Sequence, residues 1–126
     1  MSTHSRIGIV LEDGTVKSIQ CNGDGQVDNT GLVLDQFYSE PEDIHALINL
    51  GEIRSLKQDI DITYAYHRDN DEELNGPDIS ESAAFYFNEE ILEYIYLYRD
   101  GEWFVKKPAN GEEPMTVDEY LIFDQE

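Results

Sequence analysis

Two Asp-Gly dipeptides, Asp13-Gly14 and Asp100-Gly101, constrain the fold of this chain more than any other feature of its sequence. Asp-Gly is a strong signal for a tight β-hairpin, because both central residues of a type I′ turn need a positive φ. Apolar residues are frequent on both sides of each dipeptide, in residues 5–12, 15–21, 92–99 and 102–107. The sequence therefore predicts two hairpins, and a two-residue loop would place Leu11 opposite Val16 and Tyr98 opposite Trp103.

Two short helices are predicted in series after the first hairpin. Residues 30–38 carry apolar side chains at helical spacing, and Asn29 or Thr30 can cap the start of this helix. Residues 40–50 begin with a capping-box pattern, Ser39 to Glu42, and have a proline in the first turn. We expect Gly51 to end the second helix.

The remaining elements complete an α+β fold. Residues 59–68 alternate between apolar and polar side chains, which predicts a strand with one wet face. A short helix capped by Ser80 and a C-terminal helix with a Thr116–Glu119 capping box are also predicted. The expected architecture is an antiparallel sheet of about five strands, built from two hairpins plus one strand, with short helices packed on one face. The 126 residues predict a single domain, residues 1–126.

Cysteine content and hydropathy indicate where the protein resides. The chain has one cysteine, Cys21, so no intrachain disulfide is possible and a reducing compartment is expected. The N-terminal residues lack the apolar run of a signal peptide, and no stretch approaches the ~18 apolar residues of a membrane span. The sequence therefore predicts a cytoplasmic protein without a membrane partner.

The stretch "SIQCNGDGQVDNTG", residues 18–31, partly matches a calcium-binding loop. In that alignment Asn22 and Asp24 are potential ligands, but Gln20 and Gly31 occupy positions 1 and 12, where such loops carry Asp and a bidentate Glu. No lysine follows these glycines as it does in a phosphate-binding loop. We expect residues 20–31 to bind neither tightly held calcium nor phosphate, and we expect no metal and no cofactor.

Sequence motifs indicate a family. The segments "SRIGIVLEDGTVKSI" and "GLVLDQFYSEPEDIHALINLGEIRSL", with Cys21 and Asp24-Gly25 between them, resemble a family of small phage and prophage proteins. The segment "YIYLYRDGEWFV" resembles the tyrosine-rich hairpin of that family. The resemblance implies a phage origin and a strand–loop–helix corner at residues 18–31. Where the family has aromatic residues and a histidine in this loop, the chain has polar residues and glycine, so no role of those side chains transfers.

Negative charge dominates the composition. There are 28 acids and 8 bases, which gives a formal net charge of -20. Between residues 58 and 98 the only base is Arg68. The eleven acids of this segment, which are the predicted partner-binding residues, are Asp59, Asp61, Asp69, Asp71, Glu72, Glu73, Asp78, Glu81, Glu89, Glu90 and Glu93. On the predicted strand, Asp59 and Asp61 would repeat at about the spacing of successive phosphates.

No catalytic motif accompanies this charge. The three histidines, His4, His45 and His67, fall in separate elements, and the sequence has no zinc-protease, CxxC, nucleophile-elbow or Walker pattern. The sequence therefore favours a non-enzymatic protein with no catalytic residues.

Three functional interpretations of the acids stay open. In the first, the acidic surface serves only solubility or adaptation to high salt. In the second, the protein mimics DNA or RNA and blocks a basic nucleic-acid-binding defence protein in the bacterial host cytoplasm, without binding nucleic acid itself. In the third, it is a phage interaction or regulatory module that uses exposed aromatic residues among Phe85, Tyr86 and Phe87.

Overall fold

Residues 3–88, 92–107 and 113–124 are described by the computed structural model, and within them six strands form one sheet. The strands are β1 (Ser5–Val10), β2 (Val16–Cys21), β3 (Asp78–Ser80), β4 (Tyr94–Arg99), β5 (Glu102–Lys106) and β6 (Met115–Thr116). Their order is β3-β2-β1-β4-β5-β6. Both predicted hairpins are present in one sheet, so the α+β prediction is confirmed, while β3 and β6 were not predicted.

The sheet is mixed, which corrects the antiparallel prediction. β1 and β4 pair in parallel, with Ser5 opposite Tyr94 and Ile9 opposite Tyr98, and the other pairs are antiparallel. A hairpin loop forces its two strands to be antiparallel, but more than 70 residues separate β2 from β4. Over that length the chain can return in either direction, and the direction is decided by packing.

Helices cover both faces of the sheet. The helical elements are a π-helical turn (Val27–Gly31), α1 (Leu32–Phe37), α2 (Pro41–Ile48), α3 (Tyr66–Asn70), α4 (Ala83–Tyr86) and α5 (Val117–Asp124). Buried residues of α1, α2 and α5 form one core with Ile7, Ile19 and Tyr96. Residues of α4 pack with Val16 and Leu97 in a second core on the opposite face. The prediction that all helices lie on one face is therefore wrong for α4.

Tyr86 connects α4 to the centre of the sheet through a hydrogen bond. The Tyr86 hydroxyl donates a 2.7 Å hydrogen bond to the carbonyl oxygen of Tyr96 on β4. This approach requires the glycine at position 8, because a Cβ atom there would lie 2.9 Å from the Tyr86 hydroxyl oxygen. Trp103 on β5 is buried in the other core and donates a 2.8 Å hydrogen bond from its indole nitrogen to the carbonyl of Tyr38.

The Asp-Gly dipeptides of the two hairpins form different turns. Asp100 and Gly101 both have positive φ, at 51° and 81°, and Tyr98 lies opposite Trp103 as predicted. In the first hairpin only Gly14 has a positive φ, and Val16 lies opposite Val10 rather than Leu11. The Asp13 carboxylate instead accepts hydrogen bonds from the backbone and the hydroxyl of Thr15. This Asx-type turn adds a loop residue, so the predicted register of the first hairpin is wrong by one.

The predicted strand at residues 59–68 is absent. The segment forms a turn from Asp59 to Thr63, a single bridge at Ala65 and then α3. The Asp59 carboxylate accepts a hydrogen bond from the Asp61 N–H at 2.9 Å. The Thr63 hydroxyl donates to the Asp59 carbonyl and accepts from the Lys57 N–H. Local side-chain bonds of this kind compete with strand pairing, and here they override the alternating pattern.

Helix ends follow the predictions in part. Pro41 starts α2, and Gly51 has a φ of 77° just after it, as expected. No side chain caps α1 or α2, so the predicted caps Asn29 or Thr30 and the Ser39–Glu42 box are wrong. The cap of α4 is Ser82 rather than Ser80. The Thr116 hydroxyl accepts from the Glu119 N–H and bonds to its carboxylate, which confirms the C-terminal cap. In the described residues no helix is long and apolar enough to cross a membrane.

Candidate acidic interaction surface

One edge of the sheet carries most of the predicted partner-binding acids. β3 pairs with the first half of β2, while Ile53 bridges Cys21 at the far end of β2 and Ala65 bridges Ile53. The chain therefore lies beside the open side of β2 at Ile53 and again at Asp78–Ser80, and residues 54–77 connect these two points. The eight acids of this stretch and its end, which we call the acidic edge, are Asp59, Asp61, Asp69, Asp71, Glu72, Glu73, Asp78 and Glu81. All eight are exposed.

Residues 53–80 contain three bases, Arg54, Lys57 and Arg68, and the last of these is bound by an acid of the edge. Arg68 donates two hydrogen bonds to the Asp69 carboxylate, at 2.9 and 2.8 Å, and a third to the carbonyl oxygen of Thr63 at 2.6 Å. Its pKa is raised chiefly by the Asp69 hydrogen bond and further by the charges of Asp69 and Asp61. The guanidinium thus joins the 59–63 turn to α3 and places the acids of both elements side by side.

Asp69 has a structural role in this arrangement. Its carboxylate accepts from Arg68 and from the backbone N–H of Ala65, and these bonds lower its pKa to about 2. The next acid, Asp71, has a φ of 54° and ends α3 in the left-handed conformation that Asp tolerates better than most residues. Glu72 accepts a hydrogen bond from the Asn70 amide, and Glu73 follows in an exposed loop.

Asp78 is also committed to the fold. The Arg6 guanidinium donates a 2.7 Å hydrogen bond to the Asp78 carboxylate. It also donates hydrogen bonds to the hydroxyl and the carbonyl oxygen of Ser18, which lies on the strand between them. This contact crosses β1, β2 and β3 on the face that α4 covers. Glu81 follows β3 in an exposed bend. Among the described residues, Asp69 and Asp78 are the two acids in ion pairs, so six acids of the edge have no cationic partner there.

Three predicted acids do not join the acidic edge. Glu93 is exposed just before β4, which is separated from β2 by β1. Glu89 and Glu90 lie outside the described residues. The regular phosphate-like spacing predicted for Asp59 and Asp61 is also lost, because these residues lie in a turn rather than on a strand.

Mimicry of nucleic acid would need a local concentration of acids, because the negative charge averaged over the whole surface is less dense than that of DNA. The accessible surface is 7168 Å², and dividing it by the net charge of -20 gives about 360 Å² for each negative charge. Duplex DNA carries one charge per ~1.7 Å of axis, which is about threefold denser. Between residues 58 and 81 the single base is already bound to Asp69. Residues 58–81 thus carry eight acids and one base, a net charge of -7 in 24 residues, against -20 in 126 for the whole chain.

Aromatic residues offer a smaller candidate surface. Of the three predicted, Phe85 is 61% exposed, whereas Tyr86 and Phe87 are buried in the second core. The prediction of an aromatic anchor is thus reduced to Phe85. Its ring borders a cleft that Arg6, Ser18 and Asp78 also line.

The loop after β2 uses its backbone carbonyls internally. The carbonyls of Asp24 and Gly25 accept hydrogen bonds from the hydroxyls of Thr30 and Tyr96, at 2.7 and 2.6 Å. A Cβ at Gly25 would lie 2.8 Å from the carbonyl oxygen of Thr3, so this close approach needs glycine. Oxygens of this kind are what a calcium loop would offer to its ion. Across residues 3–88, 92–107 and 113–124, no group of three or more His, Cys, Asp or Glu is arranged to hold a metal.

Cys21 is a buried side chain. Its thiol donates to the carbonyl of Gly23, and burial raises its pKa. Since the thiolate is the reactive form, this environment disfavours nucleophilic chemistry at neutral pH.

Sequence reasoning missed a pair of carboxyl groups on two helices. Asp35 on α1 and Asp118 on α5 line a cleft of about 260 Å³ together with Tyr98 and Trp103. Burial, the Asp118 hydrogen bond and the Asp118 charge raise the pKa of Asp35 to about 6. No short-range sequence signal could have paired them, because the two aspartates are far apart in the chain and meet only through helix packing.

Comparisons of the chain with protein-family models, with curated proteins and with solved structures give no match.

Proposed function

We propose that this protein is a non-enzymatic, phage-type inhibitor that mimics DNA or RNA in the cytoplasm of a bacterial host. Its acidic edge occupies the basic groove of a host nucleic-acid-binding protein that acts in defence or restriction. The observation that carries the proposal is that eight exposed acids, six of them without an ion pair among the described residues, lie in one segment whose two ends are held beside β2.

The chemistry of the edge supports this interpretation. Fixed negative charges close together repel one another and add nothing to stability, so their concentration on one edge is consistent with a cationic partner. Opposite fields also steer association, which can reach ~10⁸–10⁹ M⁻¹s⁻¹ at low salt. The mimicry rests on the local charge density of a turn and a loop and does not need a regular strand spacing.

The test compares two charge-reversed variants in a pulldown from a bacterial host lysate. The edge variant carries Asp61, Glu72, Glu73 and Glu81 changed to lysine. The matched control carries the same change at exposed acids elsewhere, at Glu12, Glu40, Glu102 and Glu113. None of the eight carboxylates changed in the two variants accepts a backbone hydrogen bond from the described residues, and Glu72 accepts only a side-chain bond, so both variants should fold.

We expect the wild type and the control variant to retain a strongly basic host protein at low salt. Retention should fall steeply at high salt, because exposed charge pairs are screened beyond ~8–10 Å at physiological ionic strength. Added duplex DNA or RNA should displace the partner, and the edge variant should not bind it. Simultaneous binding of nucleic acid and this protein to the partner, or full retention by the edge variant, would overturn the proposal.

A second function is favoured by the exposure of Phe85. In it, the protein is an interaction or regulatory module anchored by this ring, and the acids serve only solubility. Aromatic anchors dominate many interfaces and bind with little salt dependence. A partner that is retained equally at low and high salt and is lost on Phe85→Ala would select this function over mimicry.

A further inference from the structure

The pattern of hydrogen bonds along β2 determines which backbone groups of β3 are open. The Leu11 N–H donates to the Thr15 carbonyl at 2.8 Å, so Thr15 turns its backbone groups toward β1. In an antiparallel pair this direction alternates with each residue. Gln20 accordingly faces the other way, and its carbonyl accepts from the Ile53 N–H at 3.0 Å. Odd-numbered residues of β2 therefore bond to β1, and even-numbered residues bond toward the edge.

Ile79, the middle residue of β3, is the open position. It lies opposite Lys17, an odd-numbered residue whose backbone groups bond to β1. The N–H and C=O of Ile79 therefore point away from β2, toward the outer side of β3. β3 is the terminal strand of the sheet, so within the described residues no further strand pairs with it there. One N–H and one C=O are thus available to an added strand.

Apolar side chains and acids surround this open edge. Ile79 is 60% exposed and Phe85 is 61% exposed, which are two of the six large apolar side chains that the described residues expose. Ile79 lies on the α2 side of the sheet, because its partner Lys17 reaches Asn49 at the end of α2. Phe85 lies on the other side, beside the cleft with Ser80. Two exposed acids of the acidic edge flank this position in the chain: Asp78 directly precedes Ile79, and Glu81 follows the last residue of β3.

We propose that the outer edge of β3 binds an extended, cationic segment of the partner by strand addition. The segment alternates apolar and basic side chains, with its apolar residues against Ile79 or Phe85 and its basic residues near the acids. The inference rests on the proposed function, because it takes the partner to be basic, and it specifies how that partner docks. Strand addition obtains its affinity from main-chain hydrogen bonds and its specificity from alternate side chains.

The negative charge of the acidic edge favours binding of a cationic segment over binding of a second copy of this chain. Pairing of two β3 edges would bring together two acidic edges from molecules that each carry a net charge of -20. Like charges at such short range are destabilising, whereas lysine or arginine in the added strand would be attracted. The ion pair of Asp78 with Arg6 leaves the neighbouring acids to supply this attraction.

The test uses an eight-residue peptide of alternating lysine and valine, and the same peptide with every backbone N–H methylated. Both carry the same charge, but only the first can add as a strand. We expect the first peptide to slow amide hydrogen exchange of Ile79 about tenfold or more, as formation of a hydrogen bond to a strand should. The methylated peptide should leave that exchange unchanged and should bind several-fold more weakly.

Two substitutions separate the backbone from the side chain. Ile79→Pro removes the outward N–H but no hydrogen bond to β2, and proline is accepted on edge strands. Ile79→Ala keeps the N–H and removes the side chain. We expect Ile79→Pro to bind the unmethylated peptide about fivefold more weakly than Ile79→Ala, the effect of one net hydrogen bond.

Failure of this inference can be told apart from failure of the proposed function. If the peptide binds in a salt-dependent way but Ile79 exchange is unchanged and both peptides bind equally, strand addition is wrong while mimicry stands. If Ile79 is protected by the peptide but nucleic acid never displaces the host partner, mimicry is wrong while the strand-addition surface stands.

Discussion

Asp35 and Asp118 give the molecule a carboxyl pair whose protonation should affect stability. The pKa of Asp35 in the folded state, about 6, is above its value of about 3.9 in an unfolded chain. The folded state therefore holds the proton more tightly. The stabilisation is complete below about pH 4 and is lost as pH rises through about 6.

We expect the melting temperature of the wild type to fall between pH 4 and pH 7 more than that of the Asp35→Asn variant. Asparagine keeps the shape of the side chain and cannot ionise, so it removes this part of the pH dependence. Thermal unfolding at several pH values measures the effect, and Glu113→Gln serves as an exposed control. Parallel pH profiles for the wild type and Asp35→Asn would show that the pair is not coupled to folding.

Trp103 packs in the core that also contains Ile7, Ile19 and Tyr96. It is 3% exposed, and its ring meets Tyr98 edge to face with centroids 5.3 Å apart. Trp103→Ala should cost ~3–5 kcal/mol of unfolding free energy. Trp103→Phe fills most of the space but leaves the Tyr38 carbonyl without its donor, so a smaller loss of about 1–3 kcal/mol is expected. Urea denaturation measures both, and a loss below about 1 kcal/mol for the alanine variant would contradict the core assignment.

At the scale of elements, the two hairpin turns should respond differently to the same substitution. Asp13→Gly loses two hydrogen bonds to Thr15, whereas Asp100→Gly places glycine where φ is already 51°. Glycine adopts positive φ without steric strain, and this gain offsets the larger conformational entropy that glycine loses on folding. We expect the melting temperature to fall by a few degrees for Asp13→Gly and to change little for Asp100→Gly. Equal effects would mean that the two turns have the same geometry.

The turn at residues 59–63 depends on one buried hydroxyl. Thr63→Val keeps the shape of the side chain but leaves the Lys57 N–H without its acceptor. The expected cost is about 1–3 kcal/mol of unfolding free energy. Thr63→Ser, which retains the hydroxyl, should lose less, and chemical denaturation compares the two. A smaller loss for valine than for serine would show that the methyl group, and not the hydroxyl, stabilises the turn.

For the whole molecule, salt should increase stability. A net charge of -20 repels itself, and the screening length falls from ~30 Å at 0.01 M salt to ~8 Å at 0.15 M. The unfolding free energy of the wild type should therefore rise over this range. Each lysine reversal changes the net charge by two, so the edge and control variants both carry -12. Because repulsion weakens with distance, the edge variant should gain less from salt than the control, and equal gains would indicate evenly spread acids.

Local sequence patterns determined the elements whose stability is local. The Asp100-Gly101 turn, the proline and glycine that bound α2, and the Thr116–Glu119 cap follow from conformational preferences of a few adjacent residues. The acidic character and exposure of the predicted partner-binding residues that the structure describes also follow from composition. Where the sequence prediction failed, at residues 59–68 and at Asp13, side-chain hydrogen bonds to the backbone competed with the expected pattern.

Tertiary structure alone decided how those elements meet. The parallel pairing of β1 with β4, the position of α4 on the second face, and the Asp35–Asp118 pair all join segments far apart in the chain. The same holds for the acidic edge, whose segment is held at its two ends by Ile53 and β3 beside the open side of β2. Periodicity and turn preference act over a few residues, whereas the choice between distant partners depends on which packing buries the most apolar surface with its polar groups satisfied.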